Sequence, residues 1–497
     1  MSRMTALILG CAATLVGCAV GPNFKPPAAP GADRYTAEAL PAATVTAAVA
    51  AGDAQRFLVD QDVPSRWWSL FGSAQLDELV EQALRHNPTV QSARAALRQA
   101  DELTAAQRGS YFPAVQAGYA LDRERNSTTL SPTLASGAQY FTLHTAQVSV
   151  SYLLDIFGAN RRQVESQQAL ADAQRFELEA AYLTLTSNVV AAAVAEASLR
   201  AQITATESII ASERESLQIL QRQNALGAVA MLDVMAQEST LASTEAALPN
   251  LEKQLAQQRD LLAALAGRFP SEQPEATFEL ARLTLPRDLP VSVPARLVRQ
   301  RPDVLAAEAQ LHAATAQVGV AIADLLPQIT LSAQAGGAST QLQELFAGGS
   351  TFWSAGASLS QTLFAGGTLW HRKRAADAAL DEAGAQYRAV VLAACQQVAD
   401  TLRALQLDAA AVVAAARAEH ASADTLTATR HNVELGSVSY LSLLAAEQSY
   451  QQAALTLIEA QTNRYADTAA LFQALGGGWW NRAPPGPSPA AAVPSSG

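Results

Sequence analysis

The residues best able to ligate a metal or move a proton near neutrality are six histidines, His86, His144, His312, His371, His420 and His431. They are scattered, with no pair at metal-ligand spacing. No nucleophile elbow, phosphate-binding loop or dinucleotide fingerprint occurs. The glycine pairs Gly348-Gly349 and Gly366-Gly367 fall at the ends of strand-like segments and read as turn residues. No catalytic residue, metal or cofactor is expected. The net charge is −11 with no basic cluster, which argues against a nucleic-acid partner. What remains is cysteine chemistry, at Cys11, Cys18 and Cys395. Cys395 lies in a helical stretch and is expected to be a small buried hydrophobe.

Arg3 is followed by an apolar run over residues 5–16 and then by Leu15-Val16-Gly17-Cys18. This resembles a bacterial lipoprotein signal, with residues 1–17 removed and Cys18 acylated as the first mature residue. Each methylene buried in lipid contributes about 0.8 kcal/mol, so two or three acyl chains anchor firmly. Ala19 stands where an aspartate would mark inner-membrane retention, so the resemblance implies an outer-membrane address. With Cys11 lost and Cys18 acylated, no intramolecular disulfide is expected. The sequence reads as having no later apolar run of 18 or more residues, so nothing is expected to span a membrane as a helix.

The elements come next. Residues 18–60, rich in Ala, Pro and Thr, read as an extended tether too poor in large apolar side chains to fold alone. Trp67-Trp68 and Phe71 read as packing anchors ahead of a helix with Leu76, Leu79, Val80, Ala83 and Leu84 on one face. Asn87-Pro88 starts another helix, asparagine as cap and proline in the first turn. The period then changes to two. Val115, Ala117, Tyr119 and Leu121 alternate with Gln116, Gly118, Ala120 and Asp122, and Ala146, Val148, Val150, Tyr152 and Leu154 alternate with polar residues. Phe141 and Leu143 are out of phase with that second set, which predicts a bulge or a register change there. From residue 161 to 224 neither proline nor glycine occurs. Leu178, Tyr182, Leu185, Val189, Ala192, Glu196, Leu199, Ile203, Thr206, Ile210, Glu213, Leu217 and Leu220 form a heptad seam there. At about 1.5 Å per residue such a rod is roughly 95 Å long, far more than a globular core requires. Gly227 breaks it, and a second helix returns from Met231 to Leu265.

The pattern occurs twice. Pro88 and Pro113 recur 214 residues later as Pro302 and Pro327, Phe157 recurs 207 later as Phe364, and Gly227 recurs 209 later as Gly436. The expected organisation is a signal peptide at 1–17, an arm at 18–60, a first repeat at 61–268 and a linker at 269–294. A second repeat follows at 295–480, with a disordered tail at 481–497. Each repeat offers two strands. Four strands cannot close a barrel, and an open edge in lipid costs several kcal/mol per unsatisfied backbone group. Several chains must share one barrel: two would leave it filled by side chains, three would leave a lumen. The long hairpins, too polar for the membrane, would continue the barrel as a tube.

Cys18 with Gly21-Pro22-Asn23-Phe24-Lys25-Pro26-Pro27, Trp67-Trp68-Ser69-Leu70-Phe71, Asn87-Pro88, the two Leu-Gly turns and Ala474-Leu475-Gly476-Gly477-Gly478-Trp479 together resemble the outer-membrane efflux lipoproteins, the TolC-like exit ducts of tripartite drug pumps. The resemblance implies a mostly α, α+β fold, with a homotrimer forming a twelve-stranded β-barrel continued by a coiled-coil α-barrel across the periplasm. It implies no catalysis, contact with outer-membrane lipid, and docking to a periplasmic adaptor and an inner-membrane, proton-driven transporter. The same duct could carry secreted protein or metal ions; a non-conducting scaffold would have no use for the strand pairs. By match to the family, Gly227, Ala228 and Val229 and then Gly436, Ser437, Val438 and Ser439 are the adaptor-docking turns. Several relatives carry aspartate in the second turn as part of a closed gate. Here Val438 and Ser439 stand instead, so Asp233 and Glu434, beside the two turns, are the candidate gate carboxylates.

Overall fold

The computed structural model describes residues 19–125, 127 and 139–482. Cys18, the leader at 1–17 and the tail from 483 lie outside the described residues, as does most of the loop at 126–138. In chain order the strands are β1 (Arg56–Val59), β2 (Ala114–Arg125), β3 (Tyr140–Leu154), β4 (Asp288–Val291), β5 (Gln328–Ser339) and β6 (Thr351–Ser360). The principal helices are α1 (Ala74–His86), α2 (Pro88–Arg108), α3 (Ala159–Ala225), α4 (Met231–Leu265), α5 (Pro302–Ala323), α6 (Thr368–Glu434) and α7 (Tyr440–Ala474). Two compact units share them. One holds residues 19–27, Leu97–Gln174 and Ala307–Tyr387, and the other holds the remainder.

The first unit carries an antiparallel sheet in the order β2-β3-β5-β6. Cross-strand partners share a face, so the register sorts the side chains. One face carries rows such as Val115, Val150, Ala333 and Ala355, then Ala117, Val148, Ala335 and Trp353. The other carries Gln116, Ser149, Gln334 and Ser354, then Gly118, Gln147, Gly336 and Phe352. The alternation read from the sequence therefore survives in three dimensions as one apolar and one small, polar face. Pairing between β2 and β3 is continuous from Ala114↔Ser151 to Arg125↔Tyr140, so the expected bulge at Phe141 and Leu143 is absent. Those two side chains occupy the polar face opposite Glu124 and Asp122. Unbroken backbone pairing outweighs the placement of two apolar side chains near the end of a strand.

The same unit clamps the start of the described chain. Val20 N donates to Phe157 O. Arg162, almost wholly buried, donates to the Val20 and Gly21 carbonyls and to Asn23 Oδ1 and pairs with Glu165. Phe24 stacks on His312 at 4.3 Å, and His312 Nε2 lies 2.9 Å from Glu165 Oε1.

In the second unit Trp67, Phe71, Tyr465 and Phe472 are fully buried, with Trp67 stacked on Phe472 at 5.4 Å. Burial on this scale makes loss of such a ring cost about 3–5 kcal/mol. Asn87 Oδ1 accepts from Thr89 N as a cap, while Asn87 Nδ2 donates to Leu265 O and closes the far end of α4. The second copy performs the latter task with a charge, Arg301 Nη1 donating to Ala474 O at the end of α7. Of the heptad seam, the segment from Leu185 to Leu220 is buried or half-buried throughout. One 18-residue window of α3 reaches a mean hydropathy of 1.4, and 44% of it is buried within the protein. By length and composition that helix could cross a membrane, which corrects the expectation that none could; the same test is passed by a partly buried helix of a packed bundle.

Two expectations are corrected. The arm is no free tether, because β1 pairs in parallel with β4, inside the segment read as a linker. Its Gln55 is fully buried, donating to Pro286 O and Thr468 Oγ1. Buried Arg464 holds the arm by donating to Ala51 O, Asp53 O and Thr44 Oγ1. Two of these acceptors are backbone carbonyls, which composition cannot reveal. Cys395 is half-buried rather than buried, and burial pushes its thiol pKa up, away from reactivity.

Beside Arg464, Asp408 is pushed up to about 7 by burial and by its hydrogen-bonded neighbour Asp467. A carboxyl raised in the folded state stabilises while protonated, and that contribution fades as pH rises through about 7. We expect the melting temperature to fall progressively from about pH 4 to about pH 7, and the Asp408→Asn variant, scanned by circular dichroism, to lose much of that fall.

Candidate functional site

The candidate functional surfaces are the two turns that reverse the long helices and the two-faced sheet. At the first turn, Gly227 takes φ 77°, its N–H donates to Asn224 O, and Ala228 N donates to Gln223 O. At the second, Gly436 takes φ 69°, its N–H donates to Val433 O, and Ser437 N donates to Asn432 O. Both are Schellman ends, satisfying helix carbonyls that would otherwise be orphaned. A Cβ added at either glycine would meet nothing within 4 Å. The glycines are therefore required by their left-handed backbone, and the space beside them is open.

Around each glycine the chemistry differs. Asn224 Nδ2 reaches across the first turn to Val229 O, whereas Ser437 Oγ donates to Asn432 O and Ser439 Oγ lies 3.1 Å from Ser442 Oγ in the second. Leu226, Leu232, Leu435 and Leu441 are exposed, giving both turns an apolar rim. Asp233 is half-buried in the first turn of α4, where a carboxylate complements the helix N-terminus. Glu434 is exposed, its Oε2 3.7 Å from His431 Nδ1, and it borders a cavity of about 220 Å³ between α3 and the α6–α7 turn. The two candidate carboxylates thus have different settings.

Above the turns lies a cluster that sequence reasoning did not assemble. Glu213 on α3 and Glu447 on α7 are both buried. Thr244 Oγ1 and Ser216 Oγ donate to them respectively, and Arg430 Nη2 stands 3.6 Å from Glu447 Oε1 while donating to Ser212 Oγ. Gln237 Nε2 donates to Glu213 O and accepts from Tyr440 OH at its Oε1. Burial raises both carboxyl pKa values; Arg430 opposes the rise at Glu447, and the charge of Glu447 adds to it at Glu213. The one signal in the sequence was Glu213 as a charged interruption of the seam.

On the sheet, Trp353 is 79% exposed, and Val115, Tyr119, Val148 and Leu359 on the same face are also exposed. An apolar face of this extent on one layer of strands suits lipid, and the opposite face suits water. A family model described as outer membrane efflux protein matches residues 79–268 and 293–477. The chain belongs to that family. The pyoverdine export outer membrane protein OpmQ of Pseudomonas putida is 29% identical over 418 residues, covering 83% of this chain and 88% of that protein. Outer membrane protein OprJ of Pseudomonas aeruginosa is 29% identical over 487 residues, covering 96% of each. The solved outer-membrane channel OprN is 28% identical with a TM-score of 0.82, covering 93% of this chain and all of that one. The fold is that of the TolC-like channels, mostly helical, and this efflux protein resides in the outer membrane and periplasm. Its family and fold are those of channels rather than enzymes.

The left-handed turns generate a direct expectation. Gly227→Val or Gly436→Val forces a branched side chain into positive φ at a cost of about 1–2 kcal/mol. Amide hydrogen exchange around the affected turn should quicken accordingly, and Gly227→Asn, which tolerates that conformation, should do so far less.

Proposed function

We propose that this chain is the outer-membrane exit duct of a tripartite efflux pump, conducting small molecules passively from the periplasm to the outside. The observation that carries the reading is the sheet, apolar on one face, polar on the other, and ending in β2 and β6 as open edges. Open edges in hydrocarbon leave backbone groups unsatisfied at several kcal/mol each. Three copies of a four-stranded sheet supply twelve strands, wide enough for a water-filled lumen lined by the Gln, Ser, Thr and Gly face. The α3–α4 and α6–α7 hairpins of the three copies continue that lumen as a helical tube.

In this reading Cys18, acylated after loss of residues 1–17, anchors the arm, and the clamp of Arg162 on Val20, Gly21 and Asn23 holds the chain just after the anchor. The turns at Gly227, Ala228 and Val229 and at Gly436, Ser437, Val438 and Ser439 dock a periplasmic adaptor, with the exposed leucines beside them as the apolar contact. The adaptor joins the duct to an inner-membrane, proton-driven transporter. Small-molecule cargo is supported by relatives that include a toluene efflux pump outer membrane protein and a pyoverdine export outer membrane protein, whose cargoes differ widely in polarity. Cargo choice rests with the transporter, as the duct face is mostly Gln, Ser, Thr and Gly with no cluster of side chains among the described residues that would select one molecule.

The purified protein is expected to be a trimer that conducts in planar bilayers with cation preference; a monodisperse monomer without conductance overturns the duct. Asp233→Ala and Glu434→Ala are each expected to raise resting conductance by about two- to fivefold, the weight of an exposed charge contact of up to about 1 kcal/mol. Unchanged current in both would reduce them to surface charges. Cys18→Ser should abolish labelling by radioactive palmitate and leave the protein unanchored by lipid.

A further inference from the structure

The polar cluster above the turns joins all four helices of the two hairpins within one chain. Glu213 and Ser216 come from α3, Gln237 and Thr244 from α4, Arg430 from α6, and Tyr440 and Glu447 from α7. Its composition is unusual for a seam. Glu213 is 1% exposed and Glu447 5%, and Glu213 Oε2 and Glu447 Oε2 have no hydrogen-bond partner among the described residues. An unpaired buried carboxylate is costly, whereas the protonated acid is not.

The surrounding charges do not neutralise the pair. Glu245 on α4 faces Glu213 but is held by Arg214 at 2.6 Å. Glu215, on the same helix as Glu213, borders the cavity beside the cluster. Arg430 is the cation that reaches Glu447, at 3.6 Å, with its own side chain 45% exposed and so partly screened. Tyr440 is held protonated by burial and by the nearby carboxylates. Ionising both glutamates therefore places two negative charges against one screened arginine, inside the contact between the hairpins. Protonating them leaves a neutral, hydrogen-bonded knot.

We propose that the cluster of Glu213, Glu447 and Arg430 is a proton-operated latch between the two helical hairpins of each chain, fastened when the carboxyls are protonated and released as they ionise. The sign follows from linkage. Groups that bind their protons more tightly in the fastened state stabilise it at low pH, and that stabilisation is lost as pH rises through their raised values. Two cavities flank Arg430, of about 220 and 290 Å³, so the hairpins have room to move there without repacking a filled core. The geometry of the latch stands by itself; its consequence, that release widens the periplasmic mouth, rests on the duct reading.

The test uses the full-length protein with Cys395→Ser and spin labels at exposed Gln221 on α3 and Ala428 on α6, mixed with excess unlabelled protein. Inter-label distance is measured by pulsed electron resonance at about pH 4, below the ordinary glutamate value of about 4.3, and at about pH 8. The distance is expected to lengthen at the higher pH, and the lengthening to vanish in the Glu213→Gln, Glu447→Gln double variant. Arg430→Gln removes the cation that favours ionised Glu447, so release should shift to higher pH. No lengthening in the folded parent, equal lengthening in the double variant, or an Arg430→Gln protein already separated at every pH would each overturn the latch. Bilayer conductance recorded on the same samples separates the two ideas. Absence of current at all pH values defeats the duct while the label distances still decide the latch, and a current indifferent to a measured change in distance defeats its role as a gate.

Discussion

A polypeptide in hydrocarbon must satisfy every backbone amide and carbonyl from within the protein, and this chain cannot do so alone. Its sheet pairs β2 to β3, β3 to β5 and β5 to β6, then stops. With one face apolar and exposed, it suits lipid; with β2 and β6 at its edges unpaired among the described residues, a single copy in hydrocarbon would leave backbone groups unsatisfied. Much else follows from that tension. Strand pairs from both halves of the chain meet in one sheet through the β3–β5 ladder, which runs from His144↔Ser339 to Leu154↔Ile329. That junction joins the two copies of the repeat into one four-stranded sheet, where either half alone would offer a hairpin.

The sheet was readable because its signal is a period of two that depends only on side-chain polarity. Val115, Ala117, Tyr119 and Leu121 alternate in the sequence, and the same residues share one face in the structure. The bulge was misread for a related reason. Phe141 and Leu143 break the alternation, but register is set by the whole ladder rather than by the two residues near its end. The turns were readable too, because positive φ selects glycine strongly enough to leave a mark. Gly227 and Gly436 have the same Schellman bonds although their neighbours differ.

What stayed hidden is held by groups that leave no pattern. Arg464 secures the arm through carbonyls at Ala51 and Asp53, and any residue supplies a carbonyl. The segment at 269–294 looked like a linker because it is rich in proline, yet Leu289 and Val291 are buried in the β4 strand that pairs with β1. Proline is tolerated there because a two-stranded ladder is all edge. Near the tips, Arg430 and Glu447 flank one turn but Glu213 lies more than 200 residues earlier, so no spacing rule brings all three together.

The polar members of the seam bear on how such long helices find their register at all. Alanine-rich seams pack closely but discriminate poorly between one heptad setting and the next, because small side chains offer similar contacts after a slip of seven residues. Buried polar groups break that degeneracy. Glu196, fully buried, is held by Arg200 at 2.7 Å on its own helix and by Arg259 at 3.4 Å from α4. Gln258 on α4 donates to Ala192 O, and Thr244 to Glu213. A slip of one heptad would strand each of these groups in the dry seam, at about 1–3 kcal/mol apiece and more for the charges. The interruptions at Glu196 and Glu213 therefore cost stability relative to a wholly apolar seam and confer a single alignment. The two sites differ in how the charge is met. Glu196 has an arginine on each side and reads as a fixed pin, whereas Glu213 has only a threonine hydroxyl and a neighbouring acid, which makes the alignment near the turns conditional on its proton.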